Sequence, residues 1–318
     1  MKKQILNKYN IVIWCFCLSV TNILYSQNME ALLNYTFNFS QNTTENSQNF
    51  IMNSVSKHFS PNGTLNKTEH FTLYLKYLPA QYSQKKKKEY TCIKFIFQQD
   101  SSEKVTIPVL SNWSYNYHSG IDEQNQVFGI DHQKFENLKD SEGNVLSKGI
   151  SYNIYNTFID FHSFCNYLAE PTDEGNGIQN LKKIGQRIVH ESAYSKPPVS
   201  LGSNISEGSF FQNGEVTLTL KGLSIVNKKP CTMVHFDSGE CSLKVTMNPM
   251  PDFEVITVGR SHWRGDMYKD LKTHLIQKVI MTEVVISETV LPAPPNKINS
   301  VVERNIIIEN VNDYTFQQ

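Results

Sequence analysis

The chain has 318 residues, 30 basic side chains against 30 acidic ones, and an aromatic load that includes 18 Phe and 15 Tyr. That length supports one large domain or two coupled ones. The balanced charge builds no broad positive field of the kind that nucleic acid or an anionic membrane surface requires, so no nucleic-acid partner is expected.

The chain opens "MKKQILNKYNIVIWCFCLSVTNILYSQ". Lys2, Lys3 and Lys8 make a cationic start, and Ile11 to Val20 is an apolar run relieved only by Ser19. Leu24 and Ser26 fit a cleavage site just before Gln27. The run is too short to span a bilayer, so residues 1–26 read as a secretory signal peptide. This predicts a secreted or periplasmic protein with no integral membrane segment after cleavage. Cleavage removes three lysines and no acid, leaving 27 basic residues against 30 acidic ones.

Residues 27–69 are rich in Asn, Ser, Thr and Gln and show little periodicity, which predicts a polar, partly ordered lead-in. Asn42, Asn62, Asn66 and Asn204 begin N-x-S/T sequons, as so Asn-rich a composition produces by chance. Residues 70–194 read as an N-terminal β-rich half ending in a helix. "HFTLYLKYL" sets Phe71, Leu73, Leu75 and Tyr77 on one strand face, and "YTCIKFIF" and "VTIPVL" are further strand-like runs. Lys85–Lys88 between them reads as a solvated hairpin tip. "DSEGN" is a turn signal, and "YNIYNTFIDFHSF" after it reads as a strand apolar on both faces. "GNGIQNLKKIGQRIVHESAY" carries Ile178, Leu181, Ile184, Ile188 and Val189 at helical spacing, which predicts the main helix over 176–192, stopped by Pro197 and Pro198.

Residues 195–318 read as an antiparallel β half. Val216, Leu218 and Leu220 share one face of "GEVTLTLKGL", and "CTMVHFDSGECSLKVTM" resembles a hairpin turning at Asp237–Glu240. "DMYKDLKTHLIQKVIMTEVVISET" reads as strand, turn at Asp270–Thr273 and long strand, with "RGD" at Arg264–Asp266 inside the first of them. A Pro-rich connection, "LPAPPNKIN", leads to a last strand, "VVERNIIIENV". "YTCIKFIFQQDS" and "KPCTMVHFDSGE" share a short pattern that hints at duplication.

Cys92, Cys165, Cys231 and Cys241 remain after cleavage. An even number in an exported chain permits disulfides, with three pairings open. The hairpin register disfavours Cys231 with Cys241, because it separates them by roughly 16 Å along the ladder.

The groups that could carry chemistry are Asp160, His162, His190, His235, Asp237 and His262. In a strand, Asp160 and His162 share a face, as do His235 and Asp237. A His beside a carboxylate can act as a general base, and two such pairs meeting could hold a metal. Against this stand the absence of a metalloprotease, nucleophile-elbow or phosphate-loop pattern and the apolar flanks of "TFIDFHSFC", which suit a covered strand whose polar pair satisfies itself.

"PPVSLGSNISEG", "GEVTLTLKGL" and "DMYKDLKTHLIQKVIM" together resemble the C-terminal layout of secreted bacterial β-clam or half-barrel proteins of the LolA and LppX kind. Within them the pattern runs Tyr268, Asp270, Leu271, Thr273, Ile276, Lys278. The resemblance implies a curved antiparallel sheet covered by helices around acyl chains.

The fold expected is mainly β (α+β), with curved antiparallel sheet and one main helix packed on the concave side. The function expected is non-enzymatic binding of a lipid-like, hydrophobic or amphipathic ligand between sheet and helix, at Val216, Leu218, Leu220, Leu243 and Val245, with no cofactor. The alternatives are a structural or cell-surface interaction protein without a pocket, and a hydrolase or metal-dependent enzyme built on the Asp/His groups.

Overall fold

A computed structural model of the chain describes residues 34–39, 46–83, 87–122, 126–196, 208–250 and 253–314. The expected signal peptide, Lys85 and Lys86, Asn42, Asn204 and most of "PPVSLGSNISEG" lie outside the described residues.

The protein is mainly β, as expected. Thirteen strands form one open, curved sheet in which every pairing is antiparallel. They are β1 (Gln48–Phe59), β2 (Leu65–Leu78), β3 (Glu89–Gln99), β4 (Val105–Thr106), β5 (Trp113–Asn116), β6 (Arg187–Val189), β7 (Phe210–Gln212), β8 (Thr217–Val226), β9 (Lys229–Asp237), β10 (Cys241–Met250), β11 (Phe253–Asp270), β12 (Ile276–Val290) and β13 (Lys297–Val311). The order across the sheet is β4-β3-β2-β1-β13-β12-β11-β9-β8-β6, with β5 on β3, β10 beside β11, and β7 on β10. β1 lies between β2 and β13, with Met52 opposite both Leu73 and Ile308. The N- and C-terminal halves therefore share one sheet. No helix among the described residues is long and apolar enough to cross a membrane.

Several expected strands are present. Phe71, Leu73, Leu75 and Tyr77 of β2 face the core, as do Leu218 and Leu220 of β8, with Val216 buried just before it. "RGD" lies in β11, whose paired residues end at Asp270 before the turn into β12. The Pro-rich segment closes a hairpin, because Val290 pairs with Lys297 around residues 291–296.

Four expectations need correction. The polar lead-in is replaced from Gln48 onward by β1 and the start of β2: Phe50, Met52, Ser54 and Ser56 alternate inward, and the two serines hide the period from a hydrophobicity count. "FIDFHSF" is not a strand. It belongs to the long helix of the described residues, α1 (Lys148–His162), which continues through a π-helical turn, Ser163–Tyr167. Ser147 caps it by accepting from the Ile150 N–H at 3.3 Å. Ile154, Phe158, Phe161 and Cys165 form its buried stripe at helical spacing.

The helix expected over 176–192 is absent. Ile178–Asn180 makes one 3₁₀ turn, Gly185 takes φ +84°, which stops a right-handed helix, and Arg187–Val189 is β6. Ile178 and Leu181 are buried all the same, and the segment is fastened by Gly185 N–H to Leu220 O and Leu220 N–H to Gln186 O.

Finally, β9 and β10 do not form a hairpin. Both run along β11, with Cys231 opposite Asp270 and Cys241 opposite Ser261. That register puts the two cysteines roughly 30 Å apart along the ladder. All four described cysteines are buried free thiols, so the permitted disulfides do not form.

The core joins one sheet face to α1. Phe161 meets Phe50 edge-on at 5.1 Å, Phe158 stacks on Phe95 at 5.8 Å, and Phe164 stacks on Phe236 at 5.2 Å.

Candidate functional site

The six Asp and His candidates do not converge on one site: only His235, Asp237 and His262 come together. On a helix, residues two apart point in nearly opposite directions, so Asp160 and His162 part company. Asp160 pairs with Arg304 of β13, while His162 is fully buried. His190 is buried after β6, with Nδ1 2.8 Å from the Ser192 hydroxyl and its ring edge-on to Tyr167. His235, Asp237 and His262 lie on the opposite sheet face, turned away from Val234 and Phe236. There His235 pairs with Asp266 and His262 with Asp237, each at 2.9 Å. Burial acts to raise the Asp237 carboxyl, but the Gly239 N–H and His262 outweigh it and hold it below its usual range. Among the described residues no group of three or more His, Cys, Asp and Glu could hold a metal ion.

The proposed lipid-facing residues also fall elsewhere. Val216, Leu218 and Leu220 are sealed in the core, and Leu243 and Val245 are half-buried on β10. None of the five lines either pocket described below.

What α1 and the turn after it bring together is a polar chain, buried at His162 and Asn166 and half-buried at Glu170 and Lys88. The π-helical turn, a widened form that recurs at functional sites, sets Asn166 four residues after His162 and Glu170 four residues later. Asn166 Oδ1 lies 2.9 Å from His162 Nδ1, and Tyr115 Oη lies 2.7 Å from His162 Nε2. Asn166 Nδ2 donates to Glu170 Oε1 at 3.0 Å and to Tyr90 Oη at 2.9 Å. Lys88 Nζ donates to both Glu170 oxygens at 2.8 Å.

The proton positions follow from chemistry. An amide oxygen only accepts, so His162 carries its proton on Nδ1, and Tyr115 donates to the bare Nε2. Burial pushes His162 down to about 3, against the pull of the Asn166 hydrogen bond, so the ring is neutral at physiological pH. Burial likewise raises the Tyr115 hydroxyl well above its ordinary range. In this arrangement the Tyr115 proton lies towards His162 Nε2 and the His162 proton towards Asn166 Oδ1.

Tyr115 also forms part of the wall of a cleft of about 870 Å³. Trp113, Tyr115 and Tyr117 follow one another at alternate positions through and just past β5, and Trp113 stacks on Tyr115 at 4.8 Å. Tyr117 stacks on Phe128 at 6.0 Å. Ile121 adds an exposed apolar edge, and Lys87, His118, Asp122 and Asp131 supply polar groups. Asn116 lines the same cleft, and its buried Oδ1 finds no donor among the described residues. A site of this size, with an aromatic wall set among a larger number of polar groups, suits a small amphipathic molecule. No sequence signal marked it, because its residues come from loops around a four-residue strand.

The buried histidines set a pH dependence. His162 sits at about 3 and His190, also lowered by burial, at about 4, both below the ordinary 6.5. The unfolded chain therefore binds more protons, and these two groups withdraw stability as pH falls from 6.5 towards 4. The melting temperature is expected to fall over that window, and to fall less in His162→Gln. An equal fall in both proteins would show that His162 is already charged in the fold.

No family model matches the chain, and no curated protein matches it. Among solved structures, a DUF1329 family protein from Desulfovibrio piger is 12% identical over 85% of this chain and 89% of its own, with a TM-score of 0.18. Mutant forms of a porin from Rh. blastica are 7% and 8% identical over 84% of this chain and 99% of theirs, with TM-scores of 0.17 and 0.18. At TM-scores this low, these likenesses carry no argument about fold or function.

Proposed function

We propose that this is an exported, non-enzymatic protein that binds an amphipathic small molecule in the cleft beside β5, with α1 on the concave side of the sheet. The observation that carries the reading is the cleft itself: about 870 Å³, walled by Trp113, Tyr115 and Tyr117 and lined also by Asn116, whose buried Oδ1 has no donor among the described residues. The aromatic wall offers stacking area, while Lys87 and Asp122 fix the orientation of a polar end. The ligand sits at the sheet edge rather than between sheet and helix, since that space is filled by Phe50, Phe95, Phe158 and Phe161. A proton-transfer reading is weaker, because Tyr115 and His162 are buried and paired with each other. The N-terminal run supports export.

Titration with 1-anilinonaphthalene-8-sulfonate tests the cleft. Ile121 is 41% exposed and packs into no core, so Ile121→Asp is expected to leave the melting temperature within about 2 °C. It is expected to weaken the probe at least tenfold, a loss of about 1.4 kcal/mol. Undiminished binding in that variant would remove the cleft as the site.

A further inference from the structure

A second, smaller pocket lies where α1 ends, separate from the cleft. It has a volume of about 70 Å³ and is walled by Phe50, Tyr77 and Tyr90, with Lys88, Glu170 and Lys269 as its charged groups. Lys269, on β11, is only 3% exposed. Its ammonium donates to the Ala169 carbonyl at the end of the helix, and its other two N–H donors find no acceptor among the described residues. A buried ammonium with two unfilled donors is costly unless something satisfies them. Burial pushes Lys269 down to about 8, against the pull of Glu170, so it is cationic at neutral pH. His274, also in the wall, is lowered by burial and by Lys269 and adds no charge there.

We propose that this pocket binds a small monocarboxylate of acetate size, its oxygens accepting from Lys269 and Lys88. Charge selects the class. Two ammonium groups against the single Glu170 carboxylate leave one positive charge, which one carboxylate neutralises and a phosphate dianion overshoots. Size agrees, because about 70 Å³ has room for only a few water molecules. The aromatic walls accommodate a short apolar tail and exclude the water that would weaken the ion pairs. Glu170 pairs with Lys88 at 2.8 Å and so competes with a bound carboxylate for its ammonium.

The test is saturation-transfer NMR with acetate on the folded chain at pH 7, at matched chloride, with inorganic phosphate as the comparison anion. Acetate is expected to bind saturably and to raise the melting temperature, and phosphate to do neither. Lys269→Met, close in shape to lysine, should lose at least tenfold in acetate affinity. Lys88→Gln should weaken binding several-fold, and Glu170→Gln, which removes the competing negative charge, should strengthen it. These two variants keep the test open if Lys269→Met does not fold. The proposal fails if acetate shows no saturable signal, if phosphate binds more tightly, or if the Lys88 and Glu170 variants leave acetate unchanged. Ile121→Asp, which tests the cleft, should not alter acetate binding, so the two sites stand or fall separately.

Discussion

Replacing Arg304 by methionine is expected to destabilise the protein by about 3 kcal/mol, the low end for removing one partner from a buried ionic group, because the arginine side chain is still 23% exposed. Arg304 on β13 reaches Glu283 of β12 through Nε at 2.7 Å, and its other nitrogens pair with Glu283 and with Asp160 of α1. Ser261 of β11 donates to the second Glu283 oxygen. One guanidinium therefore ties two strands to the helix, and Glu283 extends the link to Ser261 of a third. Burial and the nearby Glu283 already push Asp160 up to about 6 in spite of Arg304. Without the guanidinium, the buried Glu283 and the partly buried Asp160 carboxylates face each other with no cation between them, which favours uptake of a proton in the folded state.

The melting temperature is expected to fall by on the order of 10 °C at pH 7. The sign of the pH response is distinctive. A carboxyl whose folded pKa is raised binds its proton more tightly folded than unfolded, so acidification from pH 7 to 5 should return part of the lost stability. Adding Asp160→Asn and Glu283→Gln should return more, because it removes the uncompensated charges. A fall below about 1 kcal/mol in the single variant would mean that the network acts like an exposed salt bridge.

The parts of the fold legible in the sequence were those whose period was unambiguous. β2 and β8 show clean two-residue alternation, and Asp270–Thr273 marks a turn that exists. α1 was illegible over "TFIDFHSFC" because both periods fit nine residues containing Phe158, Ile159, Phe161 and Phe164. The window from Ser147 to Ile154, with its cap and Ile150–Ile154 spacing, breaks the tie in favour of helix. The reverse error occurred at 176–192, where apolar spacing fitted a helix that Gly185 stops. Once α1 is seen, His162, Asn166 and Glu170 appear as one stripe at four-residue spacing, half of the polar chain. Tyr115 and Lys88 could not be added from sequence, since only the β3–β5 pairing and its extension by the Tyr117 N–H to the Lys88 carbonyl carry them to the helix. The cation of the small pocket was hidden for a similar reason: Lys269 sits in a strand of alternating character, and only the docking of Ala169 shows that it points inward.

Phe158→Ala is expected to cost about 3–5 kcal/mol, in the range for deleting a buried phenyl ring. Phe158 is fully buried, stacked on Phe95 and edge-on to Phe135 at 5.4 Å and Trp113 at 5.8 Å, with Tyr115 at 6.3 Å. Each of these rings is held by the others, so the hole cannot close by moving one of them. Trp113 and Tyr115 also form the cleft wall. Loss of their backing should therefore lower both stability and affinity for the anilinonaphthalene probe, whereas Arg304→Met should lower stability alone. Phe158→Leu, which refills most of the volume, should recover more than half of each loss. If Phe158→Ala weakens the fold yet binds the probe unchanged, the wall does not depend on α1, and the coupling between helix and cleft is absent. If both losses appear and leucine returns both, packing against one helical residue sets the shape of the binding surface.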